Sequence, residues 1–575
     1  MIKNILYLGF LSLFSINLFA NKALLPIFDY QSVYHPTIGT GGMVVSQRKL
    51  ASQVGAQILA KGGNAVDAAV ATAFALAVVL PRAGNLGGGG FMLVYLAEED
   101  KTIAIDYREK APSRATRDLF LDSEGNYDKT KARFSLLSAG VPGTVAGLSH
   151  ALEKYGTMSW SEVITPALNL AKNGFEVTHD IENVLTLYKK RLTSNLAASK
   201  AYYKKDKVPY RAGETLKLPD LAWSLQQLKR FGPKAFYEGK IAKKIVDEME
   251  RNGGIISFDD LANYHVSERE PLRGTYKNFN IVSMPPSSSG GVHLIQMLNI
   301  LESFSLKEMG FGSSNYIHLL SEVMKRAYAD RSVFLGDTDF AEVPLLGLTS
   351  KEYAKELSRK ISLEEVTPSI DVLVGDPLPY ESPDTTHFSV MDKMGNAVSN
   401  TYTLNFSYGS GIVIPGTGFF INNEMDDFSS KPGTPNAFGL LGAEANAIAP
   451  FKRPLSSMTP TIIFKDGNPY LIVGSPGGSR IITTVLQVVL NLIEFEMNVA
   501  QAVASPRIHH QWLPDLLLVE SGFSQDTLNI LEKKGHKLRE GRTMGSVQAI
   551  LKEGNYFYGA ADPRRPGAGA VAVSP

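Results

Sequence analysis

The sequence predicts a mixed α/β protein of stacked helix and sheet layers, and three stretches carry that prediction. Residues 66–80 read as a helix apolar on nearly every face, the mark of a buried central element. From Thr385 the chain alternates through strand-sized runs joined by tight turns. Between them, residues 115–280 are helical in pattern and rich in charge. Elements segregated in this way imply layers.

In chain order, residues 1–20 combine Lys3, an apolar run from Ile5 to Ile16 and a small residue, Ala20, at a cleavage position. That is the pattern of a secretory signal peptide; as a membrane anchor the run falls short of the ~20 residues a span needs. A first helix is expected over Gln47–Lys61, stopped at Gly62-Gly63, and Asn64 can cap the second. Four consecutive glycines, 87–90, precede strands at Phe91–Ala97 and Thr102–Tyr107. Amphipathic helices follow at Val163–Asn173 and Leu221–Phe231. The Pro- and Asp-containing stretch Gly375–Asp384 has little periodicity and reads as an exposed linker. Beyond it come a hairpin, His387–Asp392 and Ala397–Thr403 about Met394-Gly395-Asn396, and a second about Asp466-Gly467, with strands Thr461–Phe464 and Tyr470–Val473. A helix over Arg480–Glu496 and strands at Val547–Leu551 and Tyr556–Gly559 close the chain.

The 575 residues contain no cysteine, which excludes disulfides, cysteine-ligated metal and a cysteine nucleophile. The 58 basic and 57 acidic residues nearly cancel, so nothing points to nucleic acid or an anionic membrane as partner. Removal of the leader, and with it Lys3, leaves a net charge of zero. A secreted chain without cysteine must be stabilised by packing alone.

The most informative word is Asp384-Thr385-Thr386-His387-Phe388-Ser389-Val390, where a linker runs straight into a strand that begins with threonine. Alone it reads as structural. Its neighbourhood alters that: Thr401-Tyr402-Thr403-Leu404-Asn405, Asn422-Asn423-Glu424-Met425-Asp426-Asp427, Arg453-Pro454-Leu455-Ser456-Ser457-Met458 and Gly474-Ser475-Pro476-Gly477-Gly478-Ser479. Together with Asn85-Leu86-Gly87-Gly88-Gly89-Gly90, Asp106-Tyr107-Arg108-Glu109 and Pro285-Pro286-Ser287-Ser288-Ser289-Gly290-Gly291, this set resembles the γ-glutamyltranspeptidase (glutathione hydrolase) family of N-terminal-nucleophile hydrolases. The resemblance spans nearly the whole chain beyond the leader.

It implies a four-layer αββα sandwich formed by both products of a self-cleaved precursor, a large subunit 21–384 and a small one 385–575. The physical logic is independent of the name. A threonine hydroxyl is a poor nucleophile and needs an adjacent base, and the α-amine of the same residue, with a pKa of about 7.7–8, can serve. That amine exists only once the Asp384–Thr385 bond is broken. Gly477 and Gly478 can bring two backbone N–H groups to an oxyanion, although the pair could equally be a tight turn. By resemblance Arg108, Ser456 and Ser457 hold the substrate's α-carboxylate, Asp427, Glu424 and Asn405 hold its α-ammonium, and Thr403 supports the nucleophile. Read singly, Arg108 could be a surface salt-bridge residue and Asp426-Asp427 a solvated turn. The segment Pro432–Ala443 matches a lid, with Phe438 where bacterial members commonly carry tyrosine, so a lid held by packing without that hydroxyl is expected.

The implied activity is cleavage of glutathione and other γ-glutamyl compounds, the group passing to water or to amino acid and peptide acceptors. No cofactor or metal is implied; adjacent His509 and His510 cannot share one helical face. A glutaryl or cephalosporin acylase shares scaffold and nucleophile, but the pair Arg108 and Asp427 suits an amino-acid head group. The leader implies a periplasmic or secreted location.

Overall fold

Asn64 begins the element around which the layers are arranged. The computed structural model of the protein describes residues 32–375, 386–431 and 442–574; the leader, the Asp384–Thr385 bond and Phe438 lie outside them. The Asn64 side chain accepts the N–H groups of Val66 and Asp67, and Asp67 accepts the Asn64 N–H, a reciprocal cap. The helix Ala65–Val79 that follows is buried at every residue, as its all-round apolar character requires. It packs against the helices Lys49–Ala60, Thr144–Tyr155 and Trp160–Asn173, and against the strands Thr386–Asp392 and Ala397–Thr403 beneath it.

Those two strands are the centre of a seven-stranded antiparallel sheet in the order Gly569–Ala572, Gly42–Ser46, Thr386–Asp392, Ala397–Thr403, Gly89–Leu96, Lys101–Tyr107, Ser267–Arg269. Residues on both sides of position 385 therefore share one sheet. A second seven-stranded sheet runs Thr37–Gly39, Tyr556–Ala561, Gln548–Glu553, Asn468–Gly474, Thr461–Lys465, Phe279–Ser283, Leu272–Tyr276. It too combines strands from both halves of the chain. The helices Gly290–Leu301 and Arg480–Ile493 cover its far face, with Ser314–Phe334 packed on the former. The order of layers is the expected αββα.

One feature of the pattern differs from a solvated meander. Both central strands are buried along their whole length, so their alternation does not divide core from solvent. Apolar Phe388, Val390 and Val398 belong to the core beneath the first helix layer. Ser389 and Ser399 instead donate across the sandwich to the Gln548 and Val473 carbonyls at 3.0 and 3.2 Å. The closing helix ends at Ile493, not Glu496: Glu496 has a φ of +51°, which a right-handed helix does not admit.

Candidate active site

Four glycines in a row are explained by space. A side chain at Gly88 would bring its Cβ within 1.8 Å of the Thr403 carbonyl oxygen, at Gly87 within 2.3 Å of the Phe420 oxygen, and at Gly90 within 2.4 Å of the Thr401 oxygen. A Cβ at Gly89 would meet the Tyr107 oxygen and the Glu109 carboxylate. Only glycine allows the chain to thread between the end of the central hairpin and the Arg108 segment. Asn85 fixes the turn, donating to the Thr403 carbonyl at 2.8 Å and accepting from Gly88 N–H and the Thr144 hydroxyl.

Arg108 leaves the end of the strand Lys101–Tyr107 and is fully buried, which removes the surface salt-bridge reading. Its guanidinium donates to Glu424, to Asp427 at 2.6 Å, and to the carbonyls of Pro454 and Leu455 at 3.0 and 3.2 Å. The cation and the acids expected to hold opposite ends of a substrate head group thus pair directly with one another. Asp426-Asp427 is no solvated turn either: it lies in a buried 3₁₀ turn, Glu424–Asp427. Glu109, 3.6 Å from the same guanidinium, completes a cluster of three carboxylates about one arginine. Burial raises Glu424 and Asp427 well above the usual carboxylate range, and Arg108 only partly offsets it. Glu109 is likewise pushed by burial up to about 7.

Several acceptor atoms in this region, among them Asn405 Oδ1, Glu424 Oε2, Asp427 Oδ1 and both carboxylate oxygens of Glu109, are buried and accept no hydrogen bond. Such atoms cost on the order of 1–3 kcal/mol each, so their convergence in one region marks a place that a donor would occupy. Asn405 is held in place, donating its amide to the Asn423 carbonyl at 3.0 Å while its N–H meets the Thr403 hydroxyl at 2.8 Å.

The Ser456-Ser457 segment is clamped by the triple-serine word. Ser289 N–H donates to the Ser456 carbonyl at 2.7 Å, Ser456 N–H to the Ser287 carbonyl at 3.0 Å, and the Ser288 hydroxyl to the Met458 carbonyl at 2.7 Å. A Cβ at Gly290 would lie 2.3 Å from the Met458 oxygen, so this glycine is again a close approach. Ser456 Oγ accepts the Met458 N–H, and Ser457 Oγ accepts from Arg331, a buried arginine on the helix Ser314–Phe334.

Gly477 and Gly478 have φ of +145° and +67°, the second in the left-handed region that favours glycine. They immediately precede the helix Arg480–Ile493, whose N-terminal end adds positive potential. Gly477, Thr403 and Asn405 line a single cleft, together with Gln47, Arg82 and Arg565. The cleft brings together the residues expected to support the nucleophile, hold an ammonium and stabilise an oxyanion.

His387 is not a base. It is fully buried between the sheets, its ring nitrogens engaged by Thr401 Oγ1 at 2.9 Å and Ser389 Oγ at 3.0 Å, and burial lowers its pKa to about 3. Gly474 makes room for the ring, since a Cβ there would come within 2.4 Å of Nδ1. Its folded-state pKa lies below the unfolded value of about 6.5, so the neutral ring contributes stability that is complete above pH 6.5 and lost as pH falls toward 3. Thermal melts of the protein against His387→Gln are expected to show the parent losing on the order of 5 kcal/mol relative to the variant over that window; a constant difference would contradict a buried neutral ring. His509 and His510 are likewise engaged, by Thr483 and Gln511 and by Trp512 N–H and Asp515.

A family model described as Gamma-glutamyltranspeptidase matches residues 51–572. The chain belongs to the gamma-glutamyltranspeptidase family. It is 52% identical over 536 residues to the glutathione hydrolase proenzyme of Escherichia coli strain K12, covering 93% of this chain and 92% of that one. The solved gamma-glutamyltranspeptidase of Helicobacter pylori matches with 46% identity and a TM-score of 0.57, covering 58% of this chain and 95% of its own. The cephalosporin acylase of Bacillus halodurans matches with 26% identity and a TM-score of 0.85, covering 95% and 98%. The N-terminal-nucleophile fold expected of the gamma-glutamyltranspeptidase family is therefore borne out.

Within that family setting, two residues of the site escaped the sequence reading. Glu109 stands in a word that was singled out, and its adjacency to Arg108 at a strand end was the available signal. Asn422 opens the word that holds Glu424 and Asp427, but no role was attached to it: it stitches the site by donating to the Gly87 and Gly140 carbonyls at 2.8 Å and accepting from the Gly140 and Glu424 N–H groups.

Proposed function

We propose that this gamma-glutamyltranspeptidase cleaves the γ-glutamyl amide bond of glutathione and related compounds with Thr385 as nucleophile. The observation that carries the reading is the convergence of Asn405, Glu424 and Asp427, each with a buried acceptor atom lacking a donor, beside the cation Arg108. An α-amino acid head group brings the missing donors as its ammonium, and a carboxylate to draw on Arg108 and the Ser456-Ser457 hydroxyls. The Escherichia coli relative is named a proenzyme, which supports a precursor that matures by cleavage.

In the precursor the Thr385 hydroxyl attacks the Asp384 carbonyl, the peptide C–N bond gives way to an ester, and water releases Asp384 as a carboxylate and Thr385 as a free N-terminus. In turnover the α-amine of Thr385 takes the hydroxyl proton as Oγ adds to the γ-carbonyl, with Thr403 in support and the Gly477 and Gly478 N–H groups facing the oxyanion. The C–N bond breaks, the leaving amine takes the proton, and a γ-glutamyl ester remains. Water or an acceptor amine then attacks the ester, its proton passing through the same α-amine to Thr385 Oγ. The leader 1–20 supports a periplasmic or secreted site of action, and no helix among the described residues is long and apolar enough to cross a membrane.

The similarity to a cephalosporin acylase makes a glutaryl-cleaving enzyme the second reading. Paired anilides separate the two. Release from the γ-glutamyl anilide, with little from the glutaryl anilide that lacks the α-ammonium, is the expected result; the reverse preference would favour the acylase.

A further inference from the structure

Arg82 occupies the wall of the active-site cleft in an unusual electrostatic position. It follows the helix Ala65–Val79, and its carbonyl is fixed by the Tyr408 N–H at 2.8 Å. Its side chain is only 13% exposed, and its Nε is buried and donates to nothing. Among the described residues the carboxylate that pairs with it is Asp180, whose Oδ2 lies at 3.3 Å, and that same oxygen already accepts from Arg48. Arg48 is otherwise satisfied, donating to the Val79 and Pro566 carbonyls at 3.3 and 2.8 Å. One carboxylate thus serves two guanidinium groups, and the surplus positive charge falls on Arg82. The mutual repulsion is visible at Arg48, whose pKa is lowered first by burial and further by Arg82.

The surplus is local, because the chain as a whole carries a formal charge of only +1. A second arginine, Arg565, stands on the same cleft wall, in the turn whose neighbouring Pro566 carbonyl is pinned by Arg48. A partly desolvated arginine whose Nε has no acceptor and whose carboxylate partner is shared is a costly arrangement, relieved by an anionic group with oxygens in the plane of the fork. The other end of the cleft fixes which group that is. On the γ-glutamyl reading the head group lies toward Asn405, Glu424, Asp427 and Arg108, and the reacting carbonyl toward Gly477. The amine half of the substrate must then lie toward the remaining wall, where Arg82 and Arg565 stand.

We propose that Arg82 is a specificity residue that binds a carboxylate on the amine side of the scissile bond. It selects γ-glutamyl peptides, whose leaving group ends in a carboxylate, over γ-glutamyl derivatives of uncharged amines. By the reversibility of the site it also selects peptide acceptors that carry a terminal carboxylate. This assignment rests on the γ-glutamyl reading above and adds to it the class of leaving group.

The test compares three substrates: glutathione, γ-glutamyl-p-nitroanilide, whose leaving group is uncharged, and its 3-carboxy derivative. In Arg82→Gln the ratio of kcat/KM for either carboxylated substrate to that for the neutral anilide is expected to fall about tenfold, equivalent to about 1.4 kcal/mol. Arg82→Lys, which keeps the charge without the fork, is expected to fall between. In the parent the same ratio is expected to decline with added sodium chloride. Equal losses on all three substrates, or no change in the ratio, would overturn the assignment. Should Arg82→Gln fail to fold, the lysine variant and the salt titration decide, and a flat ratio in both overturns it. A parent protein idle on all three substrates rejects the γ-glutamyl reading itself.

Discussion

Thr385→Ala is expected to remain a single chain and to release no amine from a γ-glutamyl anilide, while keeping the melting behaviour of a folded protein. The loss should be about 10⁴-fold or more, the scale seen when a covalent nucleophile is removed. Two separate functions vanish together. Without the hydroxyl nothing attacks the Asp384 carbonyl, and without that cleavage the α-amine never forms. The conservative Thr385→Ser separates them, since it retains a hydroxyl and should still mature and turn over. A gel and a colorimetric assay read both outcomes. An alanine variant that is cut at the same bond, or that hydrolyses the anilide at a substantial rate, would remove Thr385 from the mechanism. Cleavage is not expected to loosen the body: the strands Gly42–Ser46 and Gly89–Leu96 flank the hairpin that begins at Thr386, so each half supplies strands the other needs.

Arg108→Met is expected to damage stability as well as activity. The methionine fills a similar volume but leaves Glu424 and Asp427 buried without their cation. Removing one partner of a buried ion pair costs about 3–5 kcal/mol, and the acids would retain protons to avoid it. Arg108→Lys should fold better yet remain inactive or nearly so. One ammonium cannot reach Glu424, Asp427 and the carbonyls of Pro454 and Leu455 at once, as the guanidinium does. Denaturant melts and anilide kinetics test the pair. A methionine variant as stable as the parent, or a lysine variant with full activity, would show that the cluster neither stabilises the fold nor reads the head group.

The parts legible in the sequence are those with local causes. Asn64 and the all-round apolar run after it specify a capped, buried helix with no knowledge of its neighbours. Met394-Gly395-Asn396 specifies the turn of the central hairpin in the same way. What stayed hidden depends on distant chain. The strand Gly569–Ala572 is four small or β-branched residues with no turn signal, and it exists because Gly42–Ser46 offers it an edge. The helix Ser314–Phe334 carries Glu322, Lys325, Arg326, Asp330 and Arg331, which a periodicity argument sends to the surface, yet all are buried. Their charges are answered within the helix and by the following segment, as where Glu322 pairs with Lys325 and Arg326 and Arg326 also donates to the Lys360 carbonyl. Likewise, nothing in the site words indicated that Arg108 would face Glu424 and Asp427 themselves. That pairing joins positions more than three hundred residues apart.

The central claim, that a threonine exposed by self-cleavage carries the γ-glutamyl group, is tested most directly by trapping that group. The purified protein is mixed briefly with a γ-glutamyl substrate, quenched in acid and digested, and its peptides are weighed. The account predicts one peptide heavier by a γ-glutamyl group, beginning at Thr385 and modified on that residue, in a chain separate from residues 21–384. A γ-glutamyl group on any other residue, or turnover by a protein still intact across Asp384–Thr385, would contradict it.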